Sequence, residues 1–363
     1  MAGTITRIGL RTIFGAVFFV VNRKQREIVL FGNAFGFFDN SKYLFLRAVK
    51  SKSDNCFWVA KSSAEYRHVS DKGLPVVQMY SWQWFVAVTK AKAVFVTHGI
   101  PDVAPSLCRR TTVINLWHGY PMKKMGYDSR IDARRVARRK MFFLDDVYSK
   151  WDYMLAANET SRRWLMSATH LPINRFIVSG QPRNSGLSEG RIFSDVVLYM
   201  PTFRDDGRMD HIKDMVDEWD NIHAHTGLRL CMKLHPLERF DVTNLLKSKE
   251  WCVEARALSA DLDPQEMLAR CTMLVSDYSS VVFDYLQTGR KIVIYAPDEV
   301  AYLQARGGEF YIDYKEIKNN LSYVTERGGL LSAFVEDATP CELFIEKYRE
   351  FREVDLIERF ISS

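Results

Sequence analysis

A chain of 363 residues that is 47% hydrophobic can bury two compact cores, which argues for two domains. The formal net charge of +6 is mildly basic: it suits an anionic substrate or a membrane surface and is too weak to argue for nucleic acid. Six cysteines (Cys56, Cys108, Cys231, Cys252, Cys271, Cys341) stand singly, which excludes a close thiolate metal pair and predicts free thiols in a reducing, cytoplasmic setting.

In chain order, the first predicted element is apolar. Residues 12–21 form an apolar run flanked by Arg7, Arg11 and Asn22-Arg-Lys24. The run is about half of the roughly 20 residues that cross a bilayer, and no small-residue cleavage site follows. Residues 1–24 therefore read either as an interfacial helix or as a helix packed on the protein's own surface. From Glu27 onward, short β-rich runs alternate with amphipathic segments, at 28–32, 56–60, 76–79, 93–99, 113–119, 153–157 and 176–180. Gln181 to Gly190 is rich in turn formers and breaks the series. A second series follows at 196–200, 228–234, 273–276 and 292–295. The expected divisions are 25–185, 186–345 and a C-terminal helix over 346–363, each main part a doubly wound α/β domain.

Four stretches at predicted strand ends carry polar chemistry. Leu116-Trp-His-Gly-Tyr-Pro-Met-Lys-Lys124 places His118 where a strand ends, with Gly119 allowing close backbone approach and Lys123 following. A histidine there can serve as a general base near neutral pH, or it can be structural. Leu198-Tyr-Met-Pro-Thr-Phe-Arg-Asp205 places Thr202 and Arg204 just past a strand; the arginine suits either bidentate phosphate contact or a salt bridge. Met232-Lys-Leu-His-Pro236 puts Lys233 and His235 at a third strand end.

The fourth stretch is Met273 to Tyr295: a strand ending at Ser276, a turn through Asp277, Ser279 and Ser280, a helix ending near Gly289, and another strand. The unpaired N–H groups of such a helix, with the nearby hydroxyls, suit a phosphate, although Ser279 or Ser280 can equally be a simple cap. Asp277 is placed to orient a backbone group or a histidine, and Arg306 to reach a ligand, with salt bridges as the plainer alternative for each. No Walker-type glycine loop, zinc-ligand spacing or dinucleotide fingerprint is present, so no metal or cofactor is expected.

Together these motifs resemble a known family. Trp117 to Lys124, Tyr199 to Asp205, Lys233-Leu-His-Pro236 and Ser276-Asp-Tyr-Ser-Ser-Val-Val-Phe-Asp284 are similar, in order, to motifs of the CDP-glycerol glycerophosphotransferases, the teichoic-acid primases and polymerases and their capsule-making relatives. Gly180-Gln-Pro-Arg-Asn184, the Arg306 to Tyr314 tail, and Phe31-Gly with Asp39-Asn-Ser-Lys42 extend the resemblance over nearly the whole chain. Departures are Tyr120, where threonine is usual, and Phe203, where tryptophan is common.

The resemblance implies a GT-B fold, two Rossmann-like domains facing a central cleft. It also implies transfer of a polyol phosphate from CDP-glycerol or CDP-ribitol to a lipid-linked saccharide acceptor at the inner membrane face, with release of CMP. Catalytic roles are then expected for His118 as base, His235 as donor to the diphosphate or leaving group, and Asp277. Gly119, Lys123, Thr202, Arg204, Lys233, Ser276, Ser279, Ser280, Asp284 and Arg306 are expected at the substrate. Arg134, Arg135, Arg138 and Arg139 form a cationic face at helical spacing, fit for anionic lipid, for a phosphate-rich acceptor, or merely for solvent. Two rivals stay open: a nucleotide-sugar glycosyltransferase or epimerase of the same fold, and a non-catalytic membrane-bound polyanion scaffold.

Overall fold

The structure is a computed structural model that describes residues 27–51, 55–108, 110–130, 132–134, 148–188, 192–204, 207–235, 238, 242–246, 248–305, 309–336 and 338–362. The apolar segment within 1–24, the arginines Arg135, Arg138 and Arg139, and Arg306 lie outside the described residues. The chain forms two compact units. One comprises residues up to His118, Gly126–Arg183 and Phe351 onward; the other comprises Gly119–Met125 and Asn184–Glu350.

The first unit holds seven parallel strands: β1 (Ile28–Gly32), β2 (Cys56–Ala60), β3 (Val76–Gln78), β4 (Ala91–Val96), β5 (Thr112–Asn115), β6 (Tyr153–Ala156) and β7 (Phe176–Val178). Their order is β3-β2-β1-β4-β5-β6-β7. The strands are near-continuous apolar runs because helices cover both faces of a parallel sheet; Val29, Leu30 and Phe31 are all buried. Phe31 stacks on its sheet neighbour Phe95, with ring centroids 5.0 Å apart. Helix starts are fixed by side chains that accept orphan N–H groups: Ser62 from Glu65, Ser81 from Trp84, and Asn158 from Ser161. Strand order reverses between β1 and β4, so the segments leaving those strands flank a topological switch point, where open α/β sheets bind ligands.

The backbone is tight at this point. A Cβ added to Gly32 would lie 2.4 Å from the carbonyl oxygen of Asp102 and 2.8 Å from Val103 Cγ1. Gly32→Ala is therefore expected to destabilise the protein by about 1–3 kcal/mol, the usual range for overpacking. A urea midpoint equal to that of the wild type would refute the close approach.

The expected single helix over 346–363 is not what forms. Helix Glu342–Tyr348 belongs to the second unit, and the chain then runs extended to a short helical turn at Glu358–Ser362. Phe351 N–H donates to Ala157 O and Val354 N–H to Ser179 Oγ, while Leu356 and Ile361 enter the core around Phe31 and Phe95. Burial of these side chains in the first unit outweighs local helical preference.

The second unit holds six parallel strands: β8 (Phe193–Met200), β9 (Arg229–Met232), β10 (Cys252–Val253), β11 (Cys271–Ser276), β12 (Ile292–Tyr295) and β13 (Ser322–Val324). Their order is β10-β9-β8-β11-β12-β13. Helix Asp210–Thr226 buries Ile212, Met215, Val216, Trp219 and Ile222, a single 3.6-period stripe, against Tyr199, Val275 and Tyr295. It ends at Gly227, whose φ of 69° needs a residue without a Cβ penalty. The edge strands β10 and β13 were not expected from sequence; they are two and three residues long, too short to carry an alternating pattern. The switch point here lies between β8 and β11.

Candidate active site

In the first unit, β4 runs into Thr97-His98-Gly99, and the carboxylate of Asp102 shapes that turn. Asp102 Oδ2 accepts from the N–H groups of Thr97 (2.9 Å), His98 (2.8 Å) and Gly99 (3.4 Å), and from Thr97 Oγ1 (3.3 Å). Lys61 Nζ lies 3.7 Å from the other carboxylate oxygen. Beside it β5 runs into Leu116-Trp-His118. Asn115 Oδ1 accepts from Trp117 N–H (2.7 Å), and Trp117 and Gly119 take φ of 58° and 141°. A non-glycine residue in that region is strained and persists only where neighbours over-determine it.

Asn40 is such a neighbour. Wholly buried, it donates to the carbonyls of Leu116 (3.1 Å) and Trp117 (3.0 Å) and accepts from Arg183 N–H (3.1 Å). Arg183 in turn reaches Asp39 (2.9 Å) and the carbonyl of His118 (3.3 Å). The strained loop is thus presented rigidly.

The imidazole of His118 is held 3.3 Å from the carbonyl of Thr97 through Nδ1, and it stacks on His98 with centroids 4.4 Å apart. A carbonyl only accepts, so Nδ1 carries the hydrogen and Nε2 keeps its lone pair. Burial, then the neighbouring His98, lower the pKa of His118 to about 4, against the opposing pull of Asp39 and of the Thr97 hydrogen bond. The ring is neutral at pH 7, in the state a proton acceptor requires.

In the second unit, the segments after β8, β11 and β12 converge on one buried ion cluster. Arg204 pairs with Asp277 (2.9 Å) and with Asp298 (Nε 2.7 Å, Nη2 3.0 Å), and it donates to Thr202 O (2.6 Å). The guanidinium lies over the rings of Tyr278 and Tyr302, which stack 3.9 Å apart. Asp277 Oδ1 accepts from the N–H groups of Thr202 (2.8 Å) and Tyr278 (2.6 Å). Arg204 is 3% exposed and Asp277 1%.

Four expected residues take partners inside this unit. Arg204 makes the salt bridges that stood as its plainer alternative, and Asp277 orients backbone N–H groups and the arginine, one of its two readings. Ser276 is fully buried and donates to Met200 O (2.7 Å), tying β11 to β8. Asp284, also buried, accepts from Asn184 (2.9 Å), which reaches Glu350 (2.7 Å) and Gln265 (2.7 Å) as well.

The other expected side chains that the structure describes are half-buried or exposed. Ser279 and Ser280 are half-buried at the start of helix Val281–Leu286; Ser280 makes no side-chain cap bond, and Ser279 Oγ accepts weakly from Val281 N–H (3.4 Å). Thr202 Oγ1 is buried with no hydrogen-bond partner among the described residues. The half-buried ammonium of Lys233 makes no ion pair among the described residues, and burial lowers its pKa. His235 reaches the surface beside the Phe203 ring (5.9 Å), and the partial enclosure of its ring, then the charge of Lys233, push its pKa down. Lys123 donates to Tyr302 Oη (2.9 Å), within a segment bridged to Phe310. Arg134 is exposed.

His98, Asp102 and Asn40 were not expected at the site. The signal for His98 was present: His98-Gly99 follows an apolar strand just as His118-Gly119 does.

Residues 14–354 match the model of the CDP-glycerol:poly(glycerophosphate) glycerophosphotransferase family. The chain belongs to this family. It is 25% identical over 343 residues to a teichoic acid glycerol-phosphate transferase of Staphylococcus aureus (strain NCTC 8325 / PS 47), covering 86% of this chain and 85% of the relative. It is 29% identical over 258 residues to a teichoic acid poly(glycerol phosphate) polymerase of Bacillus spizizenii, covering 65% and 63% of the two chains. Among solved structures, the wall teichoic acid polymerase TagF superposes with a TM-score of 0.72 at 22% identity, over 94% of this chain and 86% of that one. A UDP-GlcNAc 2-epimerase from Methanocaldococcus jannaschii superposes with a TM-score of 0.54 at 11% identity, over 93% and 99%. These likenesses show the fold, two Rossmann-like domains of GT-B type. The glycerophosphotransferase is accordingly an enzyme, and its candidate residues lie at the carboxyl ends of β4, β5, β8, β9 and β11.

Proposed function

We propose that this glycerophosphotransferase moves glycerol phosphate from CDP-glycerol to a hydroxyl of a polyprenyl-diphosphate-linked saccharide or polyol-phosphate acceptor, in teichoic-acid-like or capsular polymer synthesis. The observation that carries the reading is His118: a neutral ring with Nδ1 anchored on Thr97 O and an unprotonated Nε2. In the reaction the acceptor oxygen bonds to the phosphorus of the glycerol phosphate, its proton passes to Nε2 of His118, and the bond to the CMP oxygen breaks. CMP leaves with the electron pair. Ser279, Ser280, Thr202, Lys233 and His235 of the second unit hold the diphosphate and spread its charge, the main source of catalysis in phosphoryl transfer. Arg204 and Asp277 serve by fixing the Thr202 backbone.

The deciding experiment supplies CDP-glycerol or CDP-ribitol with a lipid-linked disaccharide, measures CMP and weighs the products. Mass gain of one or more glycerol phosphates with equal CMP supports the reading; no nucleotide-dependent product from either donor overturns it.

Charge on the phosphates is met here by lysine, histidine and hydroxyl groups, so turnover is expected to persist undiminished in excess chelator. Complete loss that magnesium restores would reverse that expectation.

The enzyme meets its lipid-linked acceptor as a peripheral protein on the inner membrane face, held by the charges of Arg134, Arg135, Arg138 and Arg139 and by the apolar N-terminal sequence. No helix among the described residues is long and apolar enough to cross a membrane. Co-sedimentation with anionic vesicles at low salt, diminished at high salt, is expected. Protein that stays in the supernatant under both conditions would rule this out.

A further inference from the structure

We propose that His98 is a positioning residue for His118: the two rings share Thr97 as a common anchor, and the stack holds His118 in the neutral tautomer that presents Nε2. The inference rests on His118 being the base, as proposed above, and concerns a residue that takes no direct part in the transfer.

Thr97 Oγ1 lies 3.3 Å from Asp102 Oδ2 and 2.9 Å from His98 Nδ1. With the hydroxyl hydrogen directed to the carboxylate, His98 Nδ1 carries a hydrogen and donates to Oγ1. The carbonyl of the same threonine accepts from His118 Nδ1 (3.3 Å). One residue thereby sets both tautomers, and each ring keeps its lone pair on Nε2. The rings lie nearly parallel, 14° apart in plane with centroids 4.4 Å apart, and the edge of Phe35 closes on His98 at 5.0 Å. The loop that carries Phe35 is itself braced, with Asn33 Oδ1 accepting from Phe35 N–H (2.9 Å) and Lys61 Nζ donating to Asn33 O (2.8 Å).

Charged groups bear on the pair from several elements. Asp39, at the start of helix Asp39–Lys50, favours a proton on either ring. Arg183, from the turn Pro182–Asn184, opposes one on His118, and Lys61, after β2, opposes one on His98. Asp102 lies beneath, its carboxylate turned to Thr97 and to backbone N–H groups. Two cations stacked at this separation repel strongly, so the pair takes up one proton at a time. A proton on either ring therefore opposes one on the other, which keeps the Nε2 lone pair of His118 open to the acceptor hydroxyl.

The test is 15N-histidine NMR of the full chain, read beside the pH profile of kcat/KM. His98→Gln keeps a polar side chain that cannot charge. It is expected to raise the His118 titration by about one pH unit, and to move the acidic limb of kcat/KM with it. Thr97→Val keeps the carbonyl and removes the hydroxyl; it is expected to give mixed tautomers at His98, with Thr97→Ser restoring the single Nδ1-protonated form. An unmoved His118 titration in His98→Gln, or an unmixed His98 tautomer in Thr97→Val, overturns the proposal. Because the spectra require no turnover, they decide the positioning role separately from the base role, which fails instead if a His118 variant retains wild-type CMP release.

Discussion

His118→Asn is expected to lower CMP release by about 10²–10⁴-fold, the span that a positioned general base contributes. Asparagine can donate to the Thr97 carbonyl as Nδ1 does, but it offers no basic nitrogen to the acceptor hydroxyl. The wild-type side chain makes a hydrogen bond to Thr97 O at 3.3 Å and ring contacts with His98 and Trp117. Loss of stability should therefore be small, about 1 kcal/mol, and a melting curve separates it from the loss of turnover. Wild-type turnover by the variant would remove His118 from the chemistry. The pH dependence has a defined sign. With His118 held down to about 4, the base is available above that value, so kcat/KM should rise as pH climbs through 4 and then level off. The same depression makes a stability statement. The unfolded ring titrates at an ordinary 6.5, so its contribution to folding is complete above 6.5 and is lost as pH falls towards 4. His235→Ala is the matching test in the second unit, where the ring is exposed and any loss should fall on turnover rather than on folding.

Arg204→Ala is expected to cost about 3–5 kcal/mol of stability, the penalty for stranding a buried ionic partner. Asp277 is 1% exposed and has its second oxygen on Arg204 at 2.9 Å, so the alanine variant leaves a buried carboxylate without its cation. Asp298 is less enclosed. Burial raises its pKa, but the hydrogen bonds and charge of Arg204 outweigh that and hold it below the ordinary range. The Tyr278–Tyr302 stack also loses the cation lying over it. Urea unfolding should show the midpoint fall for Arg204→Ala and for Asp277→Ala. The double variant should lose less than the sum, since the two residues are in contact. A phosphate-binding arginine behaves differently: its loss raises the donor KM and leaves the urea midpoint in place. That outcome would restore Arg204 to the substrate and refute the buried cluster.

Local pattern alone was enough to read the two α/β series, the bounds of β1, β2 and β12, and the placing of His118, His235, Thr202 and Ser279 at strand ends. Apolar periodicity and turn chemistry are short-range properties, legible wherever they occur in a chain. Side-chain partners belong to another level. Arg204, Asp277 and Asp298 lie far apart in sequence and meet because β8, β11 and β12 are neighbours in the sheet. His98 and His118 stack for the same reason, since β4 and β5 pair in parallel and release their chains side by side. Asn40 reaches the His118 loop only because the helix after β1 begins next to those strand ends. A serine at a strand end looks equally ready to cap, to bind phosphate or to tie strands together; Ser276 ties them because Met200 O is the acceptor within reach. Which residues could do chemistry was written in the chain, and which of them are free to do it was decided by strand order, because a buried polar group must take the partner that the fold sets beside it.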